Sequence, residues 1–278
     1  MCYFVDMLWK RWITALVIIP LLVLLIIKGE RLVFSLALSA AAVITLWEFF
    51  RIVFSSHDPP VPRIFTWWSY AAGAALVMLA ANHGLPAVIA VMAIHCLGAA
   101  VMSIFRFSTT QDAPSVAVKQ VFGLIYIPFF MSFIVLLYDG GSIAGIHWIF
   151  LLLLIVVAGD TGAYFTGRFL GRRKLCPSVS PKKTIEGAVG GLLCSVVFAI
   201  AYKLIFMPEL SLFGTFLLAS VTGMVGQAGD LFESEFKRVS GVKDSGGLLP
   251  GHGGMLDRID ALLLAAPTAY LLKEYLLT

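Results

Sequence analysis

Long apolar stretches are the feature that most constrains this chain. A helix that crosses a lipid bilayer needs about 20 mostly apolar residues. Hydrophobic residues make up 60% of the 278-residue sequence and charged residues only 13%, whereas soluble domains carry about 25% charged residues. The sequence therefore predicts an all-α polytopic membrane protein and excludes a soluble fold, a disordered chain and a disulfide scaffold. The nine candidate spans are 12–27, 32–50, 64–81, 85–105, 119–138, 143–161, 184–206, 210–232 and 256–276.

The distribution of basic residues predicts how these spans are oriented. If the spans alternate from the N-terminus, the N-terminal side receives fourteen Lys and Arg residues, and the other side receives only Lys28, Arg31 and Lys273. Cytoplasmic loops of membrane proteins carry the excess of Lys and Arg. We therefore expect the N-terminus to be cytoplasmic and the C-terminus to lie outside.

Polar residues that could carry chemistry are concentrated in the second half of the chain. We predict that residues 1–115 are transmembrane helices that serve as a scaffold, facing lipid or forming an oligomer contact. Residues 116–278 are then a transmembrane catalytic domain. Its two long connections, 162–183 and 233–255, both fall on the cytoplasmic side, so the active site is expected there.

The first polar motif starts at Asp160, where the sixth span reaches the cytoplasmic side, and runs through a basic segment into the seventh span. An acidic residue at the mouth of a span is costly unless it is paired, hydrated or bound to a metal. Arg and Lys can clamp phosphate oxygens, and the first N–H groups of a helix favour an anion. A basic loop that only sets topology is the alternative, but the Asp and the glycines favour substrate binding. The candidate substrate-binding residues are Arg168, Ser180, Lys182, Lys183, Thr184 and Glu186.

The second motif lies where the eighth span ends. If the helix continues, Asp230, Ser234 and Lys237 stand at i, i+4 and i+7 and share one face. That face offers a carboxylate, a hydroxyl and a cation to one substrate, and Arg238 adds a second cation. An exposed helix end with i,i+4 ion pairs is the alternative interpretation.

The third motif is a glycine-rich loop that leads into the ninth span. Its glycines expose backbone N–H groups and leave room for a bulky ligand. Asp257 and Asp260 share a face at the start of the span, where acidic residues can also simply compensate the helix dipole. His252 has either a structural or a catalytic role. The candidate substrate-binding residues of this loop are Lys243, Asp244, Gly253, Gly254 and Arg258.

Three carboxylates, those of Asp230, Asp257 and Asp260, are predicted to converge at the cytoplasmic ends of two consecutive spans. Hard oxygen ligands without Cys or His at ligand spacing suit Mg²⁺ rather than zinc. We therefore predict a metal site in which Asp230 and Asp257 are the first ligands and Asp260 the next, with Asp160 or Asp244 as an outer ligand.

Residues 234–260 follow the pattern S-x-x-K-R-x4-K-D-x-G-x-x-L-P-G-H-G-G-x-x-D-R-x-D. This pattern resembles the signature of the phosphatidate cytidylyltransferases, also called CDP-diacylglycerol synthases. Residues 160–187 resemble the upstream block of the same family, so the resemblance covers roughly residues 155–262.

The resemblance implies that CTP and phosphatidate react to give CDP-diacylglycerol and pyrophosphate, with Mg²⁺ alone or with a second cation. A lipid phosphate oxygen would attack the α-phosphorus of CTP in line. The expected location is the inner membrane of a bacterial-type cell, with no nucleic-acid partner; a homodimer through the N-terminal spans is a further expectation. The residues expected to act in catalysis are Asp230, Asp257, Lys237, Asp260 and His252.

Two other functions remain open from the residues. A CTP-dependent lipid-alcohol kinase would use similar groups but transfer the γ-phosphoryl group of CTP. A membrane anion transporter could also use intramembrane acids and basic loops. The very short loops predicted on the outer side argue weakly against a transporter, which needs access from both faces.

Single cysteines placed in a cysteine-free variant test the predicted topology. We expect Ser178→Cys and Ser240→Cys to be protected from an impermeant thiol reagent on intact cells, and Thr278→Cys to be modified. Labelling of Ser178→Cys from outside would contradict the orientation, because both long connections must face the cytoplasm, where CTP is found.

Overall fold

The computed structural model describes residues 16–54, 61, 63–109, 112–248 and 253–277. Most of them are helical. The helices are α1 (Leu16–Lys28), α2 (Arg31–Val53), α3 (Arg63–Arg106), α4 (Ala113–Leu124), α5 (Phe130–Tyr138), α6 (Ile143–Leu170), α7 (Ile185–Phe206), α8 (Leu212–Val239) and α9 (Leu256–Leu272). Two short strands, β1 (Lys174–Cys176) and β2 (Ser180–Thr184), pair in antiparallel fashion between α6 and α7.

The helices confirm an all-α membrane architecture. Within the described residues, six helical segments are long and apolar enough to cross a bilayer, so the protein is a multi-pass membrane protein. The count of nine spans and their orientation stay predictions.

Helix α3 shows how two predicted spans are joined. It has 44 residues, which at 1.5 Å per residue is about 66 Å, roughly twice the thickness of a bilayer core. Its backbone leaves the helical region at Gly84, with φ 66° and ψ −159°. This conformation is essentially restricted to glycine. The break falls between the predicted spans 64–81 and 85–105, so the helix is interrupted at a single glycine between them.

The chain divides into two compact units. Unit 1 contains residues 1–141 and 239–258, and unit 2 contains residues 142–238 and 259–278. The division therefore falls inside α9, between Arg258 and Ile259. The predicted scaffold (1–115) and catalytic domain (116–278) are defined by role rather than by compactness, and that assignment stays a prediction.

Aromatic side chains form much of the core of unit 1. The ring of Phe34 stacks on that of Tyr138, with centroids 3.9 Å apart. The ring of Phe49 packs against that of Tyr126 at 5.7 Å. All four side chains are buried, so aromatic contacts pack α2 against α5 and against the π-helical turn Ile125–Phe129 that joins α4 to α5.

In unit 2, α6 and α7 approach closely through small residues. A Cβ atom at Gly159 would lie 2.6 Å from Ser195 Oγ, and one at Gly162 would lie 2.5 Å from Cys194 Sγ. The Ser195 hydroxyl also donates a hydrogen bond of 2.7 Å to the Ile155 carbonyl on α6. Membrane helices associate through such small residues, since lipid offers no hydrophobic driving force between them.

Both segments predicted as long cytoplasmic connections contain regular structure. Helix α6 continues to Leu170 and is followed by the β-hairpin, so much of 162–183 is not an irregular loop. Helix α8 likewise continues to Val239, beyond the predicted end of the eighth span. The hairpin is held where it meets α7, because Ile185 N donates to the Arg173 carbonyl at 2.9 Å.

Candidate active site

A cavity of about 400 Å³ lies in unit 2, where the end of α6, the β-hairpin, the start of α7 and α8 meet. The cavity brings together most of the polar motif that starts at Asp160 with Asp230, the first residue of the motif at the end of the eighth span. Its lining residues are Asp160, Ala163, Tyr164, Gly167, Arg168, Leu175, Lys182, Lys183, Thr184, Gly187, Ala188, Gln227 and Asp230. Six of these, namely Asp160, Arg168, Lys182, Lys183, Thr184 and Asp230, are site residues predicted from the sequence.

Thr184 positions the basic residues at the mouth of this cavity. It is the N-cap of α7, and its side-chain oxygen accepts a hydrogen bond of 3.1 Å from Gly187 N. An N-cap residue has extended backbone geometry, so β2 can run straight into the helix. Lys182 and Lys183 therefore sit immediately before a helix N-terminus, whose dipole favours bound anions.

An ion pair between Lys183 and Asp230 crosses the cavity. The two side chains are in direct contact, and each is about one-third exposed, with relative accessibilities of 29% and 31%. The pair links β2 to α8. Both groups remain within reach of a ligand in the cavity, so either could exchange its partner for a phosphate or a cation.

Arg168 on α6 also lines the cavity, one helical turn beyond Tyr164. Its guanidinium donates a hydrogen bond of 2.9 Å to the Tyr164 hydroxyl. Arg168 and Tyr164 are both exposed. The guanidinium therefore keeps donors available for a phosphate, since Arg carries five N–H groups.

Glu186 and Arg238 hold the hairpin in the described structure. The carboxylate of Glu186 accepts hydrogen bonds from Arg172 N and Arg173 N at 3.0–3.1 Å. Arg238 Nε donates to the Val179 carbonyl at 3.1 Å, which ties the end of α8 to the hairpin turn. Direct substrate contacts by Glu186 and Arg238, and by Ser180 at the start of β2, stay predictions.

Lys237, predicted to act in catalysis, is paired with Glu233 one turn earlier on α8. Lys237 Nζ lies 2.5 Å from Glu233 Oε2, and only 1% of the Glu233 side chain is exposed. The continuation of α8 to Val239 places Asp230, Ser234 and Lys237 on one helical face, as predicted. The role of Ser234 and Lys237 towards substrate stays a prediction.

Carboxylates of unit 2 gather around Asp260. This half-buried residue of α9 interacts electrostatically with Asp230, Glu233 and Asp160. Within the described residues, no three His, Cys, Asp or Glu side chains are grouped so that they could hold a metal ion by themselves. Mg²⁺ is usually held by one or two carboxylates together with substrate phosphates and waters. Asp160 and Asp230, which both line the cavity, fit that requirement.

In unit 1, Asp257 organises the described ends of the glycine loop. Its carboxylate accepts hydrogen bonds from Ser245 N at 3.0 Å, Ser245 Oγ at 3.0 Å and Gly254 N at 2.8 Å. Gly253 has φ 79°, and a Cβ atom there would lie 2.6 Å from Asp257 Oδ2. The glycine is thus required both by its backbone conformation and by the closeness of the carboxylate. Metal binding by Asp257 stays a prediction.

Three other predicted residues of this region are exposed. Lys243 and Asp244 precede Ser245, and Arg258 follows Asp257 in the first turn of α9. Their side chains are accessible to a charged ligand. His252 lies outside the described residues.

Sequence reasoning missed two polar residues. Gln227, one turn before Asp230 on α8, lines the cavity, and its Nε2 donates to the Ala188 carbonyl at 3.0 Å. The sequence feature that could have indicated Gln227 is its position three residues before Asp230, which places both on one face of the helix. Glu48 lies in the predicted scaffold but contacts the glycine loop in unit 1. The sequence feature that could have indicated Glu48 is its acidic side chain inside an apolar span, where such a residue is rare and usually functional.

The cytidylyltransferase family model matches residues 9–276, which is nearly the whole chain. The protein belongs to the cytidylyltransferase family. The match includes the apolar N-terminal half, which the sequence motifs alone do not cover.

Individual relatives agree with this family. The chain is 35% identical over 266 residues to the phosphatidate cytidylyltransferase of Staphylococcus saprophyticus, covering 92% of this chain and 95% of the relative. It is 33% identical to that of Haemophilus influenzae, covering 94% and 96% of the two chains. The Thermotoga maritima phosphatidate cytidylyltransferase is 42% identical over 183 residues, 62% of this chain and 66% of the relative.

The cavity predicts a difference between basic residues that a purely topological role would not produce. We expect Lys182→Ala and Lys183→Ala each to raise the KM for CTP about tenfold or more, because each removes a charge-assisted hydrogen bond to phosphate. Arg51→Ala and Arg63→Ala remove basic residues that are also predicted to be cytoplasmic and should leave this KM unchanged. Initial rates against CTP concentration measure the effect. Equal kinetics for all four variants would contradict phosphate binding in the cavity.

Proposed function

We propose that this protein is a CTP:phosphatidate cytidylyltransferase, which makes CDP-diacylglycerol and pyrophosphate for phospholipid biosynthesis. The observation that carries the proposal is the cavity of unit 2, where Lys182, Lys183 and Arg168 accompany the carboxylates of Asp160 and Asp230. Cations suit the phosphates of CTP and of the lipid, and carboxylates suit a divalent ion. Membership of the cytidylyltransferase family and the names of the relatives support the same reaction.

In the proposed reaction a phosphate oxygen of phosphatidate attacks the α-phosphorus of CTP. A new P–O bond forms, the bond from the α-phosphorus to the oxygen bridging to the β-phosphorus breaks, and pyrophosphate leaves with that electron pair. The protein forms no covalent bond in this step. Its contribution is to align two anionic reactants and to neutralise their charge.

The lysines and Arg168 would bring the two phosphates together. Lys183 is paired with Asp230, so a phosphate in the cavity would compete for the ammonium group and release the carboxylate. Asp230 and Asp160 would hold Mg²⁺, which would supply charge neutralisation at the phosphate oxygens. Asp260 lies within electrostatic range of both carboxylates, and its part in metal binding stays a prediction.

The lipid substrate would reach the cavity from the side. Tyr164, which lines the cavity, is 58% exposed, and the apolar side chains of Phe165, Phe169 and Leu170 on the same end of α6 are also exposed. Such a surface suits acyl chains in the bilayer. A phosphate headgroup could then enter the cavity while its tails remain in the membrane.

The basic segment from Arg168 to Lys183 runs from the end of α6 to the start of α7. The positive-inside rule assigns this segment to the cytoplasm. We therefore place the reaction on the cytoplasmic face of the inner membrane. CTP is available on that side.

Transfer of label from CTP tests the proposal. Purified protein in detergent, with phosphatidate and Mg²⁺, should move ³²P from the α-position of CTP into lipid and none from the γ-position. Label from the γ-position in lipid would identify a kinase and contradict the proposal. Lack of any label in lipid would also contradict the proposal. That is the result expected of a transporter, which makes no bond between the nucleotide and the lipid.

Two variants of α8 make the assay specific for the site. Asp230→Asn should lower the incorporation about 100-fold or more, because loss of a charged metal ligand removes several kcal/mol of stabilisation. Glu235→Gln alters an exposed carboxylate on the same helix and should retain activity. Near-normal incorporation by Asp230→Asn at saturating Mg²⁺ would contradict its assignment.

A further inference from the structure

Glu48 is a fully buried carboxylate in an apolar helix of the N-terminal half. It lies near the end of α2, and its relative accessibility is 0%. An acidic residue within a membrane helix is costly and is retained where it has a specific partner. A helix that served only as a scaffold would be more stable with an apolar residue at this position.

The partners of Glu48 are at the start of α9 and in the glycine loop. Glu48 Oε2 accepts a hydrogen bond of 2.9 Å from Leu256 N, the first residue of α9. The first N–H groups of a helix have no partner within the helix, and a negative charge there also interacts favourably with the helix dipole. Glu48 therefore caps α9 from a different helix, more than 200 residues earlier in the chain.

Ser245 connects Glu48 to Asp257. Its hydroxyl lies 3.2 Å from Glu48 Oε2 and 3.0 Å from Asp257 Oδ2, and it shares its one hydrogen between the two carboxylates. The Ser245 backbone N–H also binds Asp257. Movement of Glu48 would therefore disturb the hydroxyl and the backbone that fix the Asp257 carboxylate.

Glu48 also accounts for two glycines of the loop. A Cβ atom at Gly246 would lie 2.5 Å from Glu48 Oε1, and one at Gly254 would lie 2.5 Å from Glu48 Oε2. Side chains at either position would displace the carboxylate. Glycine is therefore needed at both positions so that the described ends of the loop can lie against the Glu48 carboxylate.

We infer that Glu48 is a positioning residue that holds the glycine loop and, through Ser245, the Asp257 carboxylate in their working arrangement. The inference rests on the proposed function only in that the loop takes part in the reaction. It gives α2 a specific task in catalysis, which a scaffold that only faces lipid would not have.

Hydrogen exchange and kinetics on the purified full-length protein test this inference together. Glu48→Ala should speed the exchange of the Ser245, Gly254 and Leu256 amides about tenfold or more, because a charged hydrogen bond is lost. It should lower kcat to a similar extent while the KM for CTP stays unchanged, since the cavity residues are untouched. Glu48→Gln keeps the size and one acceptor oxygen, so its effects should be in the same direction but smaller.

Thr45→Val is the matched control. Thr45 is equally buried one turn earlier on α2, and among the described residues its hydroxyl bonds only to the Ala41 carbonyl of the same helix. We expect this variant to leave loop exchange and kcat unchanged. Ser245→Ala should resemble Glu48→Gln, and combining the two should lower kcat by less than the product of their separate effects, because they act through one contact.

Loop exchange in Glu48→Gln and Glu48→Ala that matches Thr45→Val would overturn the inference. Faster exchange spread evenly over all helices would also overturn it, since Glu48 would then stabilise the fold as a whole. If Glu48→Ala does not fold, Glu48→Gln and Ser245→Ala decide the question. If the wild-type protein has no cytidylyltransferase activity, the proposed function fails while the exchange measurement still decides the positioning role.

Discussion

A carboxylate among apolar helices is stable only where a cation or several hydrogen-bond donors meet it. Asp230 meets the ammonium group of Lys183, and Asp257 meets backbone and hydroxyl donors. Glu48 meets the N–H of Leu256 at a helix start and the hydroxyl of Ser245. In each case at least one partner belongs to a different segment of the chain. The need to satisfy these charges therefore fixes the hairpin against α8 in unit 2 and the glycine loop against α2 in unit 1.

The same requirement suits the chemistry proposed for the protein. A substrate phosphate and a divalent ion are the natural replacements for the partners in the Lys183–Asp230 pair, because each carries the charge that the departing partner supplied. Asp257 and Glu48, in contrast, are bound mainly to neutral backbone and hydroxyl groups, which do not leave the protein. In unit 2, Lys183 and Asp230 can therefore exchange each other for a substrate phosphate and a metal ion. In unit 1, Asp257 and Glu48 keep their partners and hold the glycine loop in place.

The sequence predicted the helical membrane architecture because apolar runs of sufficient length have few other stable forms. It also predicted six residues that line the cavity, since Asp160, Lys182, Lys183 and their neighbours are polar residues at the ends of spans. The β-hairpin was not predicted. Its strands are only three and five residues long, too short for a periodic pattern, and it depends on contacts of Glu186 and Ile185 with the preceding segment.

Glu48 shows a different limit of sequence reasoning. Its partners Ser245 and Leu256 are about 200 residues away, and no local spacing connects them. The one available signal was the cost of an acid within an apolar span, which indicates that a partner exists without identifying it. Only the fold places α2 beside the glycine loop within unit 1.

An experimental structure with CTP and Mg²⁺ bound tests the central claim most directly. The account predicts that the triphosphate occupies the cavity of unit 2 against Lys182 and Lys183, with Asp230 released from Lys183 and bound to the metal ion. A triphosphate bound outside this cavity, with the Lys183–Asp230 pair intact, would contradict it.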